Sequence, residues 1–166
     1  MRPGDHPEFF RFPAPEGRSR ESTIVLDAEG RFHHDGEVVA HDKLARAMRR
    51  WIRRHPDDGR YILSNGYDWT YFSVEDVPFF VESVGIEPDR VLLRLDDGTE
   101  EPWDPALSRV GKGGALYAAV KPGADGGPYE ARFHRHAQTA LAPVLDVDAE
   151  GRPGAHVGGR FVPIRS

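Results

Sequence analysis

Apolar residues along this chain fall mostly into short runs divided by Gly, Pro, Asp and Asn, the pattern of strands joined by tight turns. Residues 23–26 read as a strand and Asp27-Ala-Glu-Gly as a turn. Residues 31–34 form a second strand, and Asp35-Gly36 is a hairpin turn leading into Val38-Val39, giving a small β-meander. One stretch breaks the pattern. Between His41 and His55, Leu44, Met48, Trp51 and Ile52 recur at i, i+4, i+7 and i+8, the apolar stripe of a helix packed on one face. A helix over 41–55 follows, with Trp51 in the core and His55-Pro-Asp-Asp-Gly as its stop. The opposite face carries Lys43, Arg46, Arg49, Arg50, Arg53 and Arg54, read as a solvated surface whose late cations complement the helix dipole.

Further short runs at 60–64, 69–72, 79–83, 91–95 and 99–103 predict an antiparallel sheet. The Gly-rich stretch 105–115 reads as a linker at a domain junction. A second unit then begins with a strand at 116–121, resumes at Tyr129, passes from strand to helix near His134, and closes with residues 144–147 and a hairpin around Gly158-Gly159. Residues 1–22, with Pro3, Pro7, Pro13 and Pro15 around Phe9, Phe10 and Phe12, form an extended arm that docks through its phenylalanines. The expected architecture is α+β, mostly β: an arm (1–22), an N-terminal β-rich domain (23–104) with helix 41–55, a linker (105–115) and a C-terminal β-rich domain (116–166) with a short helix. The string Asp27-Ala-Glu-Gly-Arg31 recurs as Asp148-Ala-Glu-Gly-Arg152. Two small duplicated halves explain that echo; so does the ordinary preference of hairpins for acidic-Gly turns.

Composition narrows the function classes. The absence of cysteine excludes disulfides, thiolate nucleophiles and sulfur-bound zinc. A net charge of -5 argues against bulk attraction to nucleic acid. No apolar run reaches the ~18 residues of a spanning helix, and the start lacks the apolar core of a secretory signal. No membrane association and a cytoplasmic location are therefore the expectations.

The chemistry-bearing residues are few. Glu75 and Asp76, before the rigid Pro78-Phe-Phe turn, are the best acid pair; they serve either as a turn device or as ligand contacts, and two oxygens alone make no metal site. His33-His34 and His134-Arg-His136 diverge on a strand or helix, so no metal centre is expected. Gly111-Lys-Gly-Gly114 runs into a strand and not a helix, so it is not a phosphate loop, and no serine sits in a Gly-x-Ser-x-Gly elbow. Tyr61, Trp69, Tyr71, Phe72, Phe79 and Phe80 read as core or as a stacking platform. Arg94 interrupts the apolar run 91–95, and Arg109, Arg132 and Arg135 flank the second unit, where a guanidinium fork suits a phosphate or carboxylate.

Asp35-Gly-Glu-Val-Val, the helix spanning Leu44 to Ile52, Asp58-Gly-Arg-Tyr-Ile-Leu, Val74-Glu-Asp-Val-Pro-Phe, Leu92-Leu-Arg-Leu and Glu130-Ala-Arg-Phe-x-Arg135 together resemble a bacterial domain-of-unknown-function family, number twelve eighty-five. Val-Glu-Asp-x-Pro-Phe is the specific element. The resemblance spans residues 26–164 and implies duplicated β-rich halves, the second pleckstrin-homology-like, with a nucleotide-like ligand between them and a role in signalling. The chain departs from the family pattern at Asp104-Pro-Ala-Leu-Ser-Arg and at Gln138-Thr-Ala-Leu. The function read from this sequence is a non-catalytic module binding a nucleotide-like anion between its halves, through Tyr61, Glu75, Asp76, Arg94, Arg132 and Arg135, with no cofactor. The alternatives are a protein–protein adaptor working through the arm or the basic helix and, last, a metal-dependent nucleotide hydrolase using Glu75 and Asp76.

Overall fold

A computed structural model describes residues 1–166, which separate into two compact units, residues 1–78 with 123–127 and residues 79–122 with 128–166. The protein is mostly β, with two short helices. No helix is long and apolar enough to cross a membrane.

In the first unit β1 (Val25–Leu26), β2 (Phe32–His34) and β3 (Glu37–Val38) form the expected meander, and β1 also pairs in parallel with β7 (Ser73–Val74). Helix α1 runs over Asp42–Arg50, capped by His41, whose Nδ1 accepts from the Leu44 N–H at 3.2 Å. A second sheet holds β4 (Ile52–Arg54), β5 (Tyr61–Ser64) and β6 (Trp69–Tyr71) in antiparallel order. The helix is therefore shorter than the expected 41–55. Trp51 closes it, donating its N–H to the Met48 carbonyl. The Pro56-Asp-Asp-Gly59 turn then folds Ile52-Arg-Arg back as a strand against β5, with Gly59 at φ +73°. A strand pairing available only in three dimensions outcompetes the continuation of the helical stripe. Met48 and Ile52 are buried, but Leu44 is 43% exposed and Trp51 only half-buried, so Trp51 is not the core residue the stripe implied.

The arm docks, though not in extended form. It makes two 3-10 turns, Pro3–Asp5 and Phe9–Arg11, and buries Phe9 against Ile62 and Trp69, with Phe10 and Tyr71 packed alongside. Gly4 donates its N–H to the Gly66 carbonyl at 2.7 Å, and a Cβ on Gly4 would stand 2.9 Å from that oxygen. His55, buried beneath the arm, contacts the Phe10 carbonyl through Nε2 at 2.9 Å and accepts from the Asp57 N–H through Nδ1.

The second unit is built on β8 (Phe79–Ile86), β9 (Val91–Leu95), β10 (Glu100–Pro102), β11 (Ser108–Val110), β12 (Leu116–Val120) and β13 (Tyr129–Phe133), which form one sheet in the order β10-β9-β8-β13-β12-β11. Helix α2 (Arg135–Ala140) follows β13, the strand-to-helix passage expected near His134. The strands β14 (Leu145–Val147), β15 (Pro153–Val157) and β16 (Arg160–Pro163) make a second three-stranded meander. Residues 105–115 are no linker. They supply edge strand β11, and Gly111 turns it back into β12 by donating to the Ala115 carbonyl at 2.7 Å. The units divide at Pro78 and Phe79 instead. A Gly-rich composition marks tight turns as readily as linkers, and the antiparallel pairing of β11 with β12 shows that it is a turn here.

Candidate functional site

The first unit contains a cavity of about 350 Å³. Leu44 and Met48 of α1 and the helix cap Trp51 line one side; Ile24 and Val39, flanking the meander, and Leu63 of β5 add further apolar wall, with the exposed His34 of β2 beside them. Asn65, Asp68, Trp69 and Thr70, from the β5–β6 connection onward, complete the lining. The polar groups are fixed by their own hairpin. Asn65 Oδ1 accepts from the N–H groups of Tyr67 and Asp68 at 2.8 and 2.9 Å, and Gly66 takes φ +86° at the corner, an Asx turn that only glycine closes without strain. Burial pushes the Asp68 carboxyl up, but hydrogen bonds from the Arg20 guanidinium and the Trp69 N–H, with the charge of Arg20, outweigh it and hold the group below the usual carboxylate range. Asp68 is thus an anionic acceptor. Trp69 is 6% exposed, and its Nε1–H is buried with no acceptor in the protein, a state few buried donors are left in.

A second cavity, about 520 Å³ and predominantly polar, shares Trp51 and Asn65 with the first. The arm contributes Arg2, Gly4, Asp5 and Phe10, while Arg50, Ile52 and Arg53 come from the α1–β4 passage. Arg53 lies 4.4 Å over the Phe10 ring, and its Nε is buried without a hydrogen-bond partner. Asp125 also lines this cavity, and the Asp5 carboxylate accepts from the Arg2 backbone N–H at 3.0 Å.

The six residues singled out from the sequence are placed elsewhere, and none of them lines either cavity. Tyr61, Glu75 and Asp76 belong to the first unit, and Arg94, Arg132 and Arg135 to the second. Tyr61 lies beneath the Arg54 guanidinium, 5.3 Å from its ring centre. Glu75 accepts from the Ala28 N–H at 3.1 Å, so it caps the neighbouring turn. Arg94 does not interrupt its strand. Val91, Leu93 and Leu95 face the core of β9 while Arg94 alternates outward and pairs with Glu100 at 3.3 Å. Arg132 lies 5.9 Å from the Tyr117 ring centre, and Arg135 is exposed at the start of α2.

Two further clusters are structural by their bonding. Asp27 is buried and accepts from the N–H groups of Glu29 and Arg31, from Arg31 Nε, and contacts His33 Nε2 at 2.7 Å. Lys121, at φ +54°, places its ammonium on Asp97 at 2.6 Å and its backbone N–H on Glu101, whose carboxyl burial pushes up. No group of three or more His, Cys, Asp or Glu residues is arranged to hold a metal ion.

Leu44, Met48, Trp51 and Ile52 stood out as an apolar stripe, but the polar residues lining the two cavities carried only faint sequence signals. Asn65-Gly66 marks a turn, and Asp68 and Thr70 flank an aromatic residue at its exit. Arg50 and Arg53 sit inside the run read as a solvated face, and Arg2 in the arm lies outside the family resemblance.

No protein-family model matches the sequence, and no curated protein matches it. Two solved structures share its fold. A DUF1285 family protein from Silicibacter pomeroyi DSS-3 superposes with a TM-score of 0.67 at 16% identity, over 95% of this chain and 92% of that one. Another DUF1285 family protein, from Shewanella baltica OS155, gives 0.57 at 14% identity, over 75% of this chain and 94% of that one. The resemblance read from Val-Glu-Asp-x-Pro-Phe and its companion segments therefore holds at the level of the fold.

Proposed function

We propose that the protein is a non-catalytic module that binds a nucleotide-like small molecule in the cavity of its first unit. One observation carries this reading: a 350 Å³ apolar cavity lined by Trp51 and Trp69, with Asn65, Asp68 and Thr70 among its walls. That size and chemistry suit a ligand body the size of a nucleobase. Indole faces stack on flat heteroaromatic rings at about 1–3 kcal/mol per base. The anionic Asp68 accepts N–H groups from a base edge, and Asn65 and Thr70 add amide and hydroxyl groups. Asp68 also repels phosphate, so any anionic part of the ligand must leave the cavity by another route. Signalling remains the expectation that comes with the family resemblance, and nothing in the cavity requires it.

Isothermal titration of purine and pyrimidine nucleosides and their 5′-monophosphates into the protein tests the reading, with Leu44→Trp as the blocking variant. Leu44 is 43% exposed at the cavity wall, so an indole there fills the space without disturbing a buried position. Saturable binding by wild type, reduced at least tenfold in a folded Leu44→Trp protein, is expected. No binding of any member of the panel below millimolar concentration turns the interpretation toward the adaptor reading, in which the same apolar cavity receives a partner's side chain.

A further inference from the structure

We infer that the second, polar cavity is a subsite for a single phosphoryl group, assembled jointly by the N-terminal arm and the α1–β4 passage. This inference rests on the ligand reading above and extends it to substrate class: a base with one phosphate and not a free nucleoside or a polyphosphate.

Three observations meet here. Arg2, Arg50 and Arg53 line the cavity together, from two separate stretches of chain and without a sequence pattern that would place them there by repetition. Arg53 Nε is buried with no hydrogen-bond partner, although its guanidinium is held over the Phe10 ring at 4.4 Å. An unpartnered buried N–H is costly, and a phosphate oxygen is the acceptor best matched to the guanidinium of this half-buried arginine. The cavity also shares Trp51 and Asn65 with the apolar one, so a ligand stacked on Trp51 reaches the arginines by crossing one residue.

Charge sets the size of the anion. Asp5 and Asp125 also line the cavity, and three guanidinium groups against two carboxylates leave one net positive charge. A single phosphoryl group, at about −1.5 to −2 near pH 7, comes nearer that excess than a triphosphate, whose added negative charges meet the carboxylates. The arm's contribution is built in by the close contact of Gly4 with Gly66, which fixes the turn that carries Arg2 and Asp5 against the β5–β6 corner. Ligand binding and arm docking are thereby coupled.

The test separates the two cavities. Nucleoside, nucleoside 5′-monophosphate and nucleoside 5′-triphosphate of the best-binding base are titrated into wild type, Arg53→Gln and Arg50→Gln. Arg50 is exposed, so its variant folds even where Arg53→Gln does not. The expected result is that the monophosphate binds wild type at least tenfold more tightly than the nucleoside and no less tightly than the triphosphate. That advantage shrinks several-fold in each variant and on raising salt from about 0.05 to 0.5 M, while nucleoside affinity stays unchanged. Equal affinity for nucleoside and monophosphate, or an advantage untouched by both substitutions, overturns the phosphoryl subsite and leaves the cavity reading standing. Failure of the nucleoside together with saturable, Arg50- and Arg53-dependent binding of inorganic phosphate supports the subsite and removes the base-binding reading.

Discussion

Two meanders in this protein carry the same five residues and fold them into the same turn, yet the aspartate of one turn is buried and that of the other is partly exposed. In β1–β2, Asp27 Oδ1 accepts from the N–H groups of Glu29 and Arg31 at 3.0 and 2.8 Å; in β14–β15, Asp148 Oδ1 accepts from Glu150 and Arg152, both at 2.9 Å. The registers coincide too, Leu26 opposite Phe32 and Val147 opposite Pro153. What differs is what surrounds them. Leu26 is fully buried and Val147 is 58% exposed. His33 binds the first aspartate, whereas Gly154 stands at the equivalent place and leaves its space to the Phe161 ring, 2.3 Å from where a Cβ would be. Glu75 caps the first turn, and Arg49 donates to its Gly30 carbonyl while lying over Phe32. Turn conformation is thus local, fixed by Asp and Gly at set offsets. Its energetic weight comes from neighbours that the five residues do not specify, and only the first meander contributes to the wall of the apolar cavity, through His34 of β2 and the flanking Ile24 and Val39.

The largest expected contrast is apolar. Leu26→Ala should cost roughly 2–5 kcal/mol, and Val147→Ala should stay within about 0.5 kcal/mol, as read from urea midpoints. Equal losses would dissolve the distinction. Next comes the aspartate itself. Removing Asp27 strips a buried set of charged hydrogen bonds at about 2–3 kcal/mol, while Asp148→Ala should shift the midpoint less, since Asp148 is only partly buried and its partner Arg152 is exposed.

The pH dependence sharpens the comparison and is the smallest effect. Burial opposes ionisation of Asp27, but the His33 contact, the Arg31 and Glu29 N–H groups and the Arg31 charge prevail, and its folded pKa lies below the ordinary value. Such a group contributes stability above the unfolded carboxylate pKa, near ~3.9, and loses it as pH falls through the folded value. Asp148 is also lowered, first by the Arg152 backbone N–H. Stability measured between about pH 5 and 2 should therefore decline for wild type, with the acid limb flattened more by Asp27→Ala than by Asp148→Ala. The reverse order would mean that burial does not set the strength of the turn.

Much of this fold was legible because it is local. Both Asp-Ala-Glu-Gly-Arg turns, the α1 start and the passage into α2 follow from residues within a few positions of each other. The end of α1 was not, because Ile52-Arg-Arg continues an apolar stripe and becomes a strand only by pairing with β5. The division at Pro78 was hidden for the same reason: β8 and β13 are parallel neighbours far apart in sequence. Arg94 looked like a breach in an apolar run and is the outward member of an alternating strand. The cavities escaped because their walls come from the arm, the meander, α1 and the β5–β6 hairpin, four stretches that no periodicity connects.

The most direct test of the ligand-binding account is a backbone amide NMR titration of the full chain with the best-binding nucleoside 5′-monophosphate. Shifts concentrated at Met48, Trp51, Arg53, Leu63, Asn65 and Trp69 are the predicted result. Shifts concentrated instead around Glu75, Asp76, Arg94, Arg132 and Arg135, with the cavity residues unmoved, would contradict it.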